Sequence, residues 1–375
     1  MAKALYVIQQ HDYSGAEIMH LSLLTEDRDA LVACPPASRT EAWLRGHGVA
    51  TAPLQFRSLR HSGGPVETVR SAGRGLRSAL ELRRLLRAHR DRRLVYCISL
   101  RPGMLGALAA TGLRRRVVWY VTDFLPPGAV GALTRLLALA GCDAAVATSE
   151  AVRSDFVRRS GTLGRRTRTI TPGVDPTRFD PSRPDPGAPR VVVLGHVSPT
   201  KRTDIAIDVA AIVARAVPEL RMEILGRAQF RDEDFAFERE IHARVAADER
   251  LAASVVFSGY TDDVPSALGT FGLFLHCRPD EPFGVAVIEA MAAGLPVVAP
   301  AAAGPAEIVE HGRTGLLYPP EDAQEAALQV MSLLQDRALA RRLGAAGREA
   351  VQERFDENRQ IERLAALVEE EVAVA

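Results

Sequence analysis

A chain of 375 residues is longer than one hydrophobic core usually serves, and predicts two domains of ordinary size. A formal net charge of +1 gives no global field to gather nucleic acid. Hydrophobic content of 47% with 25% charged residues is that of a globular protein, not a disordered or fibrous one.

The N-terminal MAKALYVIQQ enters a strand at once, Ala4 to Gln9, without the layout of a signal peptide. A turn over His11, Asp12, Tyr13, Ser14, Gly15, Ala16 and Glu17 leads into a helix from Ile18. A glycine turn there places backbone amides at the carboxyl edge of a parallel sheet, where ligands bind in such folds; a plain tight turn is the competing reading. Ala30 to Cys34 and Thr51 to Leu54 read as short strands around a helix from Thr40 to His47. From Pro65 to Arg93, Leu76, Leu80, Leu82, Leu85 and Leu86 mark an amphipathic helix ringed by arginines. A basic face docking on anionic membrane is one reading of it. Arginine greatly outnumbers lysine, however, so its clusters carry reduced weight, and a solvated face over a sheet is preferred. Leu94 to Ser99 is the next strand, with Arg101-Pro102-Gly103 as the turn after it. Arg116 to Val121 is another, closed by Thr122 and Asp123. Cys142 to Ala147 follows, with Ser149 as N-cap of a helix over Ala151 to Arg158. A short strand over Thr169 to Thr171 precedes Pro172-Gly173-Val174-Asp175 and a proline-rich stretch to Pro189, which reads as a hinge and linker.

The second half opens with the strand Arg190 to Gly195. Its loop, Gly195 to Arg202, carries His196 and Lys201 ahead of a helix from Asp204, where phosphate is readily held. Strands follow at Arg221 to Leu225, Ser254 to Gly259 and Phe271 to His276. His276 and Cys277 suggest a metal pair, but no other ligand has the spacing to support one. Cys34, Cys97, Cys142 and Cys277 are scattered and expected to be buried reduced thiols. Next comes PDEPFGVAVIEAMAAGLPVVAP. Glu281 precedes a helix start at which Gly284 lets the backbone approach a ligand, and the amides of Phe283, Gly284 and Val285 are donors. Glu289 lies two turns on among small and apolar neighbours, where a carboxylate needs partners. Gly294 and Pro296 end that helix, and Val297 to Ala299 is a buried strand. Ala323 to Phe355 is expected to be helical, then a final helix from Glu357 to Glu371. No apolar run approaches the ~18–20 residues of a membrane span, so a soluble, cytoplasmic chain is expected.

The run E-P-F-G-x-x-x-x-E-A-M-A-A-G-x-P-V-V, Glu281 to Val298, resembles the donor-site motif of the family 4 GT-B glycosyltransferases, retaining enzymes that use nucleotide sugars. Gly304 to Val309 and His311 to Leu317 continue the resemblance, which covers nearly the whole chain and is patchier in the first half. It implies an α/β fold of two Rossmann-like domains facing across a cleft: residues 1–172 for the acceptor, 173–189 as the hinge and linker, and 190–356 for the donor. The C-terminal helix, about 357–375, would cross back to the first domain.

By the same resemblance, Lys201 stabilises the departing diphosphate. His196 stands where an arginine is usual and Arg202 where glycine is usual, so Arg202 is a candidate for the absent guanidinium. Glu281 and the amides of Phe283, Gly284 and Val285 hold the sugar, and Glu289 the ribose. Gly15 approaches the donor phosphate, while His11, Asp12 and Thr122 face the acceptor. Asp123 matches the family's catalytic strand end, but the histidine usual there is absent: Tyr120 and Thr122 occupy the positions.

The implied reaction moves a sugar, with retention, from UDP-glucose or UDP-N-acetylglucosamine in preference to GDP-mannose, to a small polar acceptor such as a cyclitol or natural-product intermediate. No metal and no cofactor beyond the nucleotide sugar are expected, and membrane association is not favoured. The alternatives are a nucleotide-sugar-binding regulatory protein of the same fold and an enzyme acting on a lipid acceptor at the membrane surface.

Overall fold

The computed structural model describes residues 3–11, 15–27, 29–56, 65–180, 182, 185–229 and 231–375, without the side chains of 15–18 and 65–72. The chain divides into two compact units, Met1–Pro172 with Asn358–Ala375, and Gly173–Glu357.

The first unit alternates strand and helix: β1 (Ala4–Val7), α1 (Gly15–Glu26), β2 (Leu31–Cys34), α2 (Arg39–Gly46), β3 (Ala50–Pro53), α3 (Pro65–Ala88), β4 (Leu94–Ile98), α4 (Leu100–Ala110), β5 (Arg116–Val121), α5 (Gly128–Gly141), β6 (Ala144–Ala147), α6 (Glu150–Val157), α7 (Gly161–Arg166) and β7 (Thr167–Thr169). The strands form one sheet in the order β3-β2-β1-β4-β5-β6-β7, every pair parallel. Such a sheet is covered on both faces, so its strands are apolar throughout rather than alternating. In β1, Leu5 and Val7 point to a core shared with Leu82 and Leu86 of α3 and Leu105 of α4. Ala4 and Tyr6 point to the opposite core, with Met19 and Leu24 of α1 and Leu44 of α2.

The second unit repeats the plan: β8 (Arg190–Leu194), α8 (Thr203–Ala216), β9 (Arg221–Leu225), α9 (Asp232–Ala246), α10 (Glu249–Ser254), β10 (Val255–Gly259), α11 (Val264–Leu268), β11 (Leu273–Leu275), α12 (Val285–Ala292), β12 (Val297–Pro300), α13 (Ala303–Ile308), β13 (Leu316–Tyr318), α14 (Ala323–Gln335) and α15 (Arg337–Arg354). Its parallel sheet runs β10-β9-β8-β11-β12-β13. The last helix, α16 (Glu357–Ala373), lays Ile361, Leu364 and Leu367 against the first sheet's core. Glu371 clamps Arg116 at 2.5 Å, and Glu370 meets Arg168 through two bonds of 2.7 and 2.8 Å.

Three sequence expectations change. Arg101-Pro102-Gly103 is not a turn but lies in the first turn of α4, where proline costs no hydrogen bond because the opening amides of a helix lack partners. A Cβ on Gly103 would sit 2.4 Å from the Trp119 ring, so this glycine serves close seating of α4 on β5. The helix expected over 323–355 is two. Asp336 ends α14 through its amide and caps α15 by accepting from the Leu339 amide at 2.9 Å. The stretch read as a hinge and linker belongs with the second unit. Val174 and Phe179 lie in its core, Arg348 donates to the carbonyls of Phe179 (3.0 Å) and Pro176 (3.1 Å), and Gly187 bonds Gly272.

Candidate active site

Strand order reverses between β1 and β4 in the first sheet and between β8 and β11 in the second. Connections leave such neighbours towards opposite faces, opening a crevice outside their carboxyl ends. In the second unit the loops after β8 and β11 therefore meet.

The β8 loop turns on Ser198, whose carbonyl and hydroxyl both accept from the Lys201 amide at 3.2 Å. That turn presents the Lys201 ammonium 2.6 Å from Oε2 of Glu281, on the β11 loop. Next to it, Arg202 occupies the left-handed region at φ +55°, a backbone state that favours glycine. Its guanidinium is committed to Asp204, with bonds of 3.1–3.3 Å, and to Glu321. The structure thus places Arg202 in a separate ion-pair set from Lys201 and Glu281. His196 is half-buried; burial, then the charge of Lys201, lowers its pKa and keeps the imidazole neutral at neutral pH.

The β11 loop brings two further groups to the same carboxylate oxygen. Arg278 Nη1 lies 3.8 Å from Glu281 Oε2, while its Nε donates to Asp280 at 2.9 Å. His276 Nε2 lies 3.6 Å from that oxygen and has no hydrogen-bond partner among the described residues, though the side chain is only 6% exposed. Burial pushes His276 down to about 4, so its ring is neutral. Burial alone would raise the Glu281 carboxyl; the charge of Lys201, with that of Arg278 and the bond from Lys201, outweighs it and holds it at about 2. Two carboxylates, the buried Glu281 and the exposed Asp280, thus face the two cations Lys201 and Arg278 beside a neutral imidazole.

Helix α12 starts at this cluster. Its N-cap, Gly284, has φ +116°, which a side chain rarely adopts. Phe283 buries its ring against Phe355, centroids 5.7 Å apart, so only its backbone is offered to a ligand. Val285, half-buried, is the first helical residue. The loop is braced from behind: Gly304 donates to the Glu281 carbonyl at 3.0 Å, and a Cβ there would meet the Phe283 carbonyl oxygen at 2.1 Å. Further along α12, Glu289 keeps part of its surface and makes no hydrogen bond through its carboxylate to the described residues. Crowding by its neighbours pushes it up to about 7, against the charge of Arg178.

In the first unit, His11 follows β1 as an exposed residue whose carbonyl accepts from the amide (3.1 Å) and hydroxyl (3.3 Å) of Thr40. Asp12 lies outside the described residues. Gly15 opens α1. Thr122, half-buried, and Asp123, exposed, follow β5 at the same sheet edge. The sequence reading missed Arg278 and took His276 only as half of an unsupported metal pair. Both precede Glu281 by a few residues at the end of an apolar strand, a position whose signal was available.

Comparison with known proteins gives the family and the fold. A family model described as "Glycosyl transferases group 1" matches residues 175–350, and one described as "Glycosyltransferase Family 4" matches residues 37–178. A GDP-mannose-dependent alpha-(1-6)-phosphatidylinositol monomannoside mannosyltransferase of Mycolicibacterium smegmatis is 30% identical over 297 residues, which cover 72% of this chain and 74% of that protein. Its Mycobacterium tuberculosis counterpart is 32% identical over 233 residues; the match covers 56% of this chain and 57% of that protein's length. Among solved structures, Anabaena HepE in complex with UDP-glucose superposes with a TM-score of 0.82 at 24% identity, over 99% of this chain and all of that one. At that identity the likeness establishes the fold, which is GT-B.

Proposed function

We propose a function from one established premise: this chain belongs to the group 1 glycosyltransferases. It transfers a sugar, with retention, from a nucleoside-diphosphate sugar to a hydroxyl. The observation that carries the reading is the cluster of Lys201, Arg278 and His276 around Glu281 at the switch point of the second sheet. As the bond from the anomeric carbon to the diphosphate breaks, negative charge gathers on the phosphate. Lys201 and Arg278 face that charge, and fixed cations in a poorly solvated site favour the transition state over the ground state. The acceptor oxygen bonds to the anomeric carbon from the same side, and its proton leaves with the phosphate. Glu281, ionised and paired, is unsuited to general acid–base work at neutral pH; it holds Lys201 in position and takes sugar hydroxyls with the amides of Phe283 to Val285. Glu289 takes the ribose. Arg202, engaged with Asp204 and Glu321, positions the start of α8.

Two permanent cations supply the charge, so we expect transfer to proceed without a divalent ion or other cofactor, at a rate unchanged by a chelator. The sequence-based preference for a uridine donor is kept beside GDP-mannose, which the names of two mycobacterial relatives carry. The acceptor proposed from the sequence is a small polar alcohol such as a cyclitol. A hydroxyl carried by a lipid is the second reading, favoured by relatives named for phosphatidylinositol mannosides.

The test is thermal stabilisation by a panel of UDP- and GDP-sugars, followed by release of the nucleoside diphosphate with candidate acceptors. Stabilisation by one base and acceptor-dependent release are expected. Tight binding with no turnover across acceptors would favour the regulatory-protein reading.

A further inference from the structure

Helix α5 is built the wrong way round for a helix on a solvated surface. Its two polar side chains turn inward: Thr134 is 1% exposed and bonds the Val130 carbonyl at 2.8 Å, and Arg135 reaches the carbonyls of Asp155 (3.1 Å) and Phe156 (3.4 Å). Its apolar side chains turn outward, with Leu133 51% and Leu136 60% exposed and Val130 and Leu139 beside them. The face continues across the layer. Helix α4 packs between α3 and α5 and exposes Leu108, and α3 exposes Leu76 and Leu80. A surface helix normally puts its polar residues outside, and an apolar patch spread over three adjacent helices marks an interaction surface.

Charge identifies the partner. The stripe of Leu76 and Leu80 runs at helical spacing into exposed Arg84 and Arg87, and Arg90 and Arg114 stand exposed just past the ends of α3 and α4. Arg83 ties those ends together through the carbonyls of Ala109 (2.8 Å) and Thr111 (2.6 Å). Among the described side chains of the three helices, Glu81, half-buried, is the one acidic residue; just past α3, the exposed Asp91 pairs with Lys3 and Arg92. Leucines on protruding helix ridges, bordered by arginines without counter-charge, suit a surface that is apolar inside and anionic at its border. A second copy meeting this face about a two-fold axis would set arginine against arginine.

We infer that the outer face of α3, α4 and α5 docks on an anionic lipid bilayer, with the leucines of α5 entering the headgroup boundary and the arginines at the ends of α3 and α4 meeting lipid phosphates. Binding at this face is separate from the donor site, although it fits the lipid-acceptor reading above.

The experiment sediments the full chain with vesicles of equimolar phosphatidylglycerol and phosphatidylcholine, and with phosphatidylcholine alone. Binding is expected to the anionic vesicles and to weaken with salt. Leu133→Ser with Leu136→Ser, and separately Arg84→Glu with Arg87→Glu, should each weaken it by at least about tenfold. Both pairs are exposed, so folding by circular dichroism and affinity for the nucleotide sugar should be unchanged. No binding to the anionic vesicles, or equal binding to both kinds, overturns the inference. So does a dimer in sedimentation velocity that the leucine substitutions dissolve, because the face then belongs to a second copy. Loss of nucleotide binding in the wild type would instead overturn the proposed function and leave this inference standing.

Discussion

The Lys201 ammonium and the Glu281 carboxylate, 80 residues apart in the chain, stand 2.6 Å apart at the carboxyl ends of neighbouring strands β8 and β11. Under the proposed function, the carboxylate holds in place the cation that meets the diphosphate. Lys201→Met keeps the stem and removes the charge. Turnover should fall by about two to three decades, with a smaller effect on donor affinity, as expected for a charge that acts mainly in the transition state. Steady-state kinetics with a nucleotide sugar and acceptor measure this split; a change in KM alone would reassign Lys201 to ground-state binding.

Arg278 and Arg202 separate by their partners. Arg278 faces Glu281 beside Lys201, whereas Arg202 is bound to Asp204 and Glu321. Arg278→Ala should therefore lower turnover by about one to two decades, and Arg202→Ala should lower thermal stability with little effect on rate. The reverse order of effects would show that Arg202 leaves its ion pairs to reach the diphosphate.

Glu289 supplies a pH signature. Its carboxyl, pushed up to about 7, is protonated below that pH in the free protein. A folded pKa raised above the unfolded one means that stability is lost as pH rises from the ordinary carboxylate range to about 7, where the unfolded chain has already ionised and the folded one has not, and levels off above that. Donor binding that uses the ionised form has the opposite sense: affinity should weaken below about pH 7, approaching tenfold per pH unit. Calorimetry with a nucleotide sugar, whose diphosphate diester does not titrate there, measures it. Glu289→Gln should flatten the profile, and Glu289→Ala should weaken binding at least about tenfold at higher pH. An unchanged wild-type profile in Glu289→Gln would remove this residue from the ribose.

Gly304→Ala tests the brace behind the donor loop. The added methyl meets backbone atoms of Phe283, the nearest at 2.1 Å, and no flexible side chain can yield. A loss of about 1–3 kcal/mol in stability is expected, with weaker nucleotide binding because Phe283 and Gly284 must shift. Thermal unfolding and titration of the same sample report both.

Much of this was legible in the sequence because single local rules governed it. Apolar strands alternating with helices give parallel sheets, and Glu281, Gly284 and Glu289 lie in one continuous motif. Where two rules competed the reading failed. Pro102 and Gly103 carry the marks of a turn, but helix seating against Trp119 decides there. Arg278 was missed, because its nearness to Lys201 depends on strand order, which spacing along the chain does not reveal. The bias towards arginine held an unused signal: of 47 cationic residues only Lys3 and Lys201 are lysine, so a lysine kept in a phosphate loop stands out. The inverted face of α5 was hidden because Leu133, Leu136 and Leu139 read equally well as core.

That scarcity of lysine allows the most direct test. An amine-directed reagent applied to the native protein can modify only the N-terminus, Lys3 and Lys201, and mass spectrometry separates the three. A nucleotide sugar should protect Lys201 in proportion to its occupancy and leave Lys3 unchanged. Equal modification of Lys201 with and without saturating nucleotide sugar would contradict the account, because the diphosphate would then not lie against this loop.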